Sequence, residues 1–313
     1  MLAQGLLTLR AALADFPVFS APAPAADRTA AARARLRAHM DSGAVACVAF
    51  VRHAATDRLR GDSRDADVAR VLTAAGKAQA RAAGGLAEQP GGRADGWLAL
   101  LPPVGLVCTS EAGRCCHTAT LLPGTAARRR AVLCGLYDGT MAPGARAAFA
   151  ALGYAPLRAY RAGGHGAALD AGAARVLVEL ADAVDAALSG PPLNDAALSG
   201  PPLNEEVVTG VRRGGTGLGT VLVFGHAVHS AAAAQALWRA AGGGEGASAP
   251  PPALDEISHG EAEALLVAPR GAGYLAREGG TAVPGAVVED TSATLRTLRV
   301  AASACNAGGK VPR

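Results

Sequence analysis

The stretch "AVACVAFVRHAATD", residues 44–57, decides the reading of this chain. Residues Ala44 to Val51 are uninterruptedly apolar, and then Arg52 and His53 arrive together. An apolar run without alternation marks a strand covered on both faces, the normal state of a parallel sheet. Two polar side chains at its end have two readings. Either the strand has simply reached solvent, or it delivers a nucleophile with its anion clamp.

The rest of the chain repeats the pattern. "VGLVCTS" (104–110) leads into "EAGRCCHTATLL" (111–122), and "TVLVFGH" (220–226) leads into "SAAAAQALWRAAG" (230–242). "AVLCGL" (131–136) precedes "ARAAFAALG" (145–153) and "AALDAGAARVLVELADAVDAAL" (167–188), and "AEALLVAP" (262–269) closes the series. A helix-like stretch, "LTAAGKAQARAAGGLAEQ" (72–89), follows the first strand and its polar loop. Apolar strands alternating with helices predict a three-layer α/β/α sandwich with a mostly parallel central sheet, covering about residues 44–275.

Open parallel sheets build sites at the carboxyl ends of their strands. Three predicted strand ends carry Arg52-His53, Ser110 with Arg114, and Gly225-His226. These are the groups that phosphoryl transfer needs. Arginine offers a planar fork matched to phosphate oxygens. A neutral imidazole can attack phosphorus and split one slow step into two. Arg52, Arg114 and His226 would cradle the phosphate while His53 attacks.

In these residues the chain resembles the histidine phosphatase superfamily, the phosphoglycerate-mutase-like proteins. The pieces are "VRHAATD", "LTAAGKAQA", "CTSEAGRCCHTA" and "VLVFGHA", in the family's order and spacing over about residues 45–270. The resemblance implies a phosphoglycerate-mutase-like fold and a metal-independent phosphatase acting on a phosphate monoester or phosphohistidine. It implies His53 as phosphate-accepting nucleophile, with Arg52, Thr56, Arg114 and His226 binding the phosphate and no cofactor. Asp138, in "LYD", stands where the family carries its proton donor, with Glu111 and Asp57 as rivals. Ala54 departs from the family's glycine after the histidine, a change a backbone without positive φ tolerates. Phosphoglycerate mutases carry an Asn after the position of Thr56 and a "Gly-x-Trp-Glu-Gly" continuation after the acid, and both are missing here. The departures favour a phosphatase over a mutase, and leave a phosphate- or phosphoprotein-binding module without turnover as the alternative.

Composition narrows the remaining classes. Of 313 residues, 50% are hydrophobic but only 4% aromatic, so alanine supplies most of the apolar content and blurs helical faces. A net charge of +4 with few aromatics among the basic residues gives no footprint for nucleic acid. Arg128-Arg129-Arg130 reads as a loop or helix cap. The expected partner is a small phosphorylated substrate or a phosphoprotein. No apolar run reaches the ~20 residues that span a bilayer.

The six cysteines show no paired spacing and fit small buried hydrophobes in a reducing compartment. "CCH" (115–117) and His226 with His229 lack the further ligands of a metal site. "GGTGLGT" (214–220) precedes a strand, where a dinucleotide loop would follow one. His117 and His165 read as structural or solvent-facing, and His259 as a loop residue bordering the pocket. Residues 1–43 are Arg- and Ala-rich and acid-poor. They read either as a plastid or mitochondrial transit peptide or as an extension of a cytoplasmic protein. "DAALSGPPLN" occurs at 185–194 and again at 195–204, a duplicated surface linker in a loop insertion at about 189–219. Residues 276–313 form a tail.

Overall fold

A computed structural model describes residues 26–57, 64–83, 97–122, 129–137, 143–153, 155–190, 217–241, 254, 262, 264–269 and 271–275. Its strands are β1 (Val45–Arg52), β2 (Val104–Thr109), β3 (Arg129–Val132), β4 (Gly219–Gly225), β5 (Ala264–Ala268) and β6 (Gly271–Leu275). They form one sheet in the order β3-β2-β4-β1-β5-β6. The first four run parallel, while β5 is antiparallel to both β1 and β6. The sheet is therefore mostly parallel with an antiparallel edge.

Two helical layers cover it. Helices α1 (Ala26–Asp41), α7 (Gly166–Ser189) and α8 (Ala227–Ala240) pack on the face formed by Val48, Phe50, Leu106, Val221, Val223 and Leu265. Helices α3 (Ala74–Ala83) and α4 (Gly113–Leu121) pack on the face formed by Cys47, Ala49, Val51, Val107, Leu222 and Phe224. Neighbouring residues of each strand thus enter different cores, which explains why the strands read as continuous apolar runs. Helices α2 (Arg64–Val68), α5 (Pro143–Leu152) and α6 (Leu157–Ala162) and a 3-10 turn at Trp97–Leu100 complete the described elements.

Several expectations shift. The run 131–136 is not a strand throughout: β3 ends at Val132, and Leu136 and Tyr137 donate back to Leu133 and Cys134 in a helical turn. That turn buries Leu136 and Tyr137, so the apolar residues beyond Val132 serve the turn. The series does not close at 269, because "GAGYL" adds β6, whose two glycines hide its strand character. The first copy of the duplicated segment is not all linker. Asp185 to Ser189 lie in α7, and Gly190 before two prolines ends the helix. The second copy lies outside the described residues. Within residues 1–43, α1 buries Ala32, Leu36 and Met40 in the core, and Arg35 pairs with Asp182 at 2.8 Å.

The arginine run is not a loop or helix end: Arg128 lies outside the described residues, and Arg129 and Arg130 open β3, from which Arg129 donates to the carbonyls of Ala187 and Gly190 at the end of α7. Cys47, Cys108 and Cys115 are buried, and burial pushes each thiol up to about 12. Among the described residues, no helix is long and apolar enough to cross a membrane.

One contact fixes how α3 meets the loop after β1. Thr73 accepts from the Gly76 N–H at 3.0 Å and so caps α3, while its own N–H donates to the Ala55 carbonyl at 3.0 Å. A Cβ on Gly76 would lie 2.0 Å from that carbonyl oxygen. Gly76→Ala is therefore expected to cost about 3 kcal/mol, read as a lowered urea midpoint, with activity falling alongside as the loop is displaced.

Candidate active site

Strand order brings the predicted strand ends together. Since β4 lies between β1 and β2, Arg52 pairs with Gly225 and Thr109 with Phe224. Beyond the ladder, the His53 N–H donates to the Gly225 carbonyl at 3.2 Å, and the Ser110 N–H to the Phe224 carbonyl at 2.9 Å. His226 occupies the position just before α8, whose N-terminus lies at this edge, and α4 begins just after Ser110. Helix N-termini present free N–H groups and a positive dipole end, which suits an anion.

The His53 and His226 rings lie 5.3 Å apart between centroids, edge to face. His53 Nδ1 lies 2.9 Å from the Ala54 carbonyl oxygen. A carbonyl only accepts, so Nδ1 carries the proton and Nε2 keeps its lone pair. Burial, aided by the cations Arg114, Arg52 and Arg70, lowers the His53 pKa from 6.5 to about 3. The ring is therefore neutral at neutral pH. His226 is held neutral too, by burial first and then by Arg114 and His53. Its Nδ1 accepts from Arg114 at 3.4 Å, and its Nε2 donates to Ser110 Oγ at 3.2 Å.

The loop after His53 is held from several sides. The Ala54 N–H donates to Thr118 Oγ1 at 3.0 Å, and the Ala55 N–H to Gln79 Oε1 at 2.9 Å. The "LTAAGKAQA" and "TA" pieces are thus scaffolding for the histidine loop. Ala54 is fully buried, and among the described residues Ala262 is the one non-glycine with positive φ. No left-handed backbone demands glycine at position 54.

Arg114 is buried, with Nη1 donating to the Asp67 carbonyl at 2.7 Å and Nη2 to Asp67 Oδ2 at 3.0 Å. Its buried Nε has no hydrogen-bond partner. Arg70 donates to Thr56 Oγ1 at 2.6 Å and pairs with Asp67 Oδ1 at 3.2 Å. The Tyr137 hydroxyl donates to Asp67 Oδ2 at 2.9 Å, and its ring lies 5.8 Å from that of His226. Arg64 pairs with Glu111 and lies over the Tyr137 ring.

His53, Arg52, Arg114, His226 and Thr56 are thus gathered at one edge, as their strand-end positions predict. Asp138 and His259 lie outside the described residues. His229 sits in the first turn of α8. Sequence reasoning missed Asp67, Arg70 and Tyr137, all of which contact the cluster. The available signal was the i, i+3 pair Asp67 and Arg70 immediately before "VLT", in a segment that reads only as a polar loop.

No protein-family model matches the chain, and no curated protein matches it. Solved structures similar to it include a provisionally assigned phosphohistidine phosphatase from Agrobacterium tumefaciens, at 16% identity and a TM-score of 0.34, covering 74% of this chain and 97% of that one. A second provisionally assigned phosphohistidine phosphatase, from Nakamurella multipartitia, is 20% identical at a TM-score of 0.33, covering 75% and 96%. A mycobacterial glucosyl-3-phosphoglycerate phosphatase is 16% identical at a TM-score of 0.37, covering 70% and 88%. At such values the architecture and the site stand on the geometry described above.

Proposed function

We propose that the protein is a phosphatase that hydrolyses a phosphate monoester or phosphohistidine through a covalent phosphohistidine on His53. One observation carries the reading. His53 presents an unprotonated Nε2, its ring stands 5.3 Å from that of His226, and His226 accepts from the buried Arg114, whose charge reaches His53. An imidazole with a free lone pair and an arginine thus share one edge, where two helices begin.

In the first step His53 Nε2 attacks phosphorus and the bond to the leaving group breaks. Arg52 and Arg114 hold the phosphate oxygens, His226 joins them as its Nε2–H turns from Ser110 Oγ to the phosphate, and Thr56 and Arg70 stand at the rim. In the second step water attacks the phosphohistidine, and the electron pair of the N–P bond returns to Nε2. The chain's own cations supply the charge stabilisation that the equatorial oxygens require.

Rapid quenching with a radiolabelled aryl phosphate in chelator tests this. The expected result is label on the protein that survives alkali and is lost in acid, as a phosphoramidate behaves. Acid-stable label would place the phosphoryl group on another residue. Binding of vanadate with no label and no turnover would favour the binding module.

A further inference from the structure

We propose that Asp67 is the proton donor to the leaving group, brought to the pocket by the short helix α2 after the histidine loop. The proposal rests on the reading of His53 as nucleophile. Oδ2 of Asp67 accepts from Arg114 and from the Tyr137 hydroxyl, and Oδ1 accepts from Arg70. The carboxylate therefore lies among the cations that surround His53. The rival carboxylates are placed differently, since the ion pair described for Glu111 is with Arg64, which is not among the cations acting on His53, and Asp57 is exposed. Arg114 also holds the main-chain carbonyl of Asp67, so the residue is anchored independently of its charge.

In the resting site this carboxylate is ionised. Burial alone would raise its pKa, but Arg114, the Tyr137 hydroxyl and Arg70 together hold it below the ordinary aspartate value. A bound phosphate reverses that balance. It draws the N–H donors of Arg114 and Arg70 to its own oxygens and places negative charge beside Asp67, which raises the proton affinity of the carboxyl, so that Asp67 takes up one proton from solvent as the substrate binds.

The chemistry then closes. As the bond from His53 Nε2 to phosphorus forms, the O–P bond of the ester breaks and its electron pair goes to the ester oxygen. That oxygen takes the proton of the Asp67 carboxyl and leaves as an alcohol. In the second step water attacks phosphorus and gives a proton to the Asp67 carboxylate. The electron pair of the N–P bond returns to His53 Nε2, inorganic phosphate is released, and with its departure the Asp67 proton passes to solvent and the ionised resting state is regained.

Leaving-group dependence separates a proton donor from a residue that merely positions arginines. Nitrophenolate departs without help, whereas phenolate gains from protonation. Asp67→Asn is expected to slow phenyl phosphate hydrolysis ~100-fold while leaving para-nitrophenyl phosphate within a small factor of wild type. Asp67→Glu should restore part of the phenyl phosphate rate. The same fractional loss on both substrates, complete loss included, would overturn the proposal. So would a selective loss on phenyl phosphate found in Asp138→Asn and missing from Asp67→Asn. Wild-type turnover retained by His53→Ala would instead remove the nucleophile reading, whatever Asp67→Asn shows.

Discussion

In chelator, the His53→Ala protein is expected to turn over an aryl phosphate at least ~10⁴-fold more slowly than the wild type, because removing a nucleophile abolishes the covalent route entirely. Folding should survive the change. The one side-chain hydrogen bond described for His53 goes to the carbonyl of its neighbour Ala54, and the backbone N–H still bonds Gly225. A loss of about 1 kcal/mol or less is expected at neutral pH. Unchanged turnover in this variant would remove the proposed nucleophile.

The same pair of proteins gives a pH signature with a definite sign. The folded pKa of His53 is near 3 and its ordinary value is 6.5, with burial the main cause. Between those values the unfolded chain binds a proton at this residue that the folded chain refuses, so folding stability falls as pH falls through that window. His226 acts in the same direction. In His53→Ala one of these contributions is gone. Wild-type stability should therefore drop more steeply on acidification than that of the variant, as followed by urea midpoints at stepped pH.

Legibility from sequence tracked locality. The strand–motif units were readable because each places its candidate residue at the end of a buried strand or one step beyond it, and the parallel arrangement then brings Arg52, Ser110 and His226 to one edge. That β4 would lie between β1 and β2 depends on long-range pairing, which no local pattern encodes. Alanine hid the role of α1, whose buried Ala32 and Leu36 lie in a stretch that composition alone marks as an extension. Glycines disguised β6. Asp67 and Arg70 were missed for a different reason. Their importance comes from Arg114 and Tyr137, which approach from 47 and 70 residues away.

That long-range junction makes Arg114→Ala the second large effect, and it should appear in both stability and catalysis. The guanidinium satisfies the Asp67 carbonyl and carboxylate together and contacts His226. Truncation leaves a largely buried carboxylate with Arg70 and Tyr137 as its remaining partners, at an expected cost of about 3 kcal/mol in urea unfolding. It also removes the cation proposed to hold the phosphate, for which a loss of ~10³-fold in kcat/KM is expected. The two consequences can be separated. In Arg114→Ala/Asp67→Asn no buried charge is left stranded, so stability should partly recover relative to Arg114→Ala, a positive coupling in a double-mutant cycle. Catalysis should not recover, because the phosphate still lacks its cation. Arg114→Lys should retain much of the stability through its charge yet stay slow, since an ammonium cannot reach Asp67 and the phosphate in the planar arrangement of a guanidinium. If Arg114→Ala kept both its urea midpoint and its kcat/KM, Arg114 would be neither the clamp of Asp67 nor a phosphate ligand.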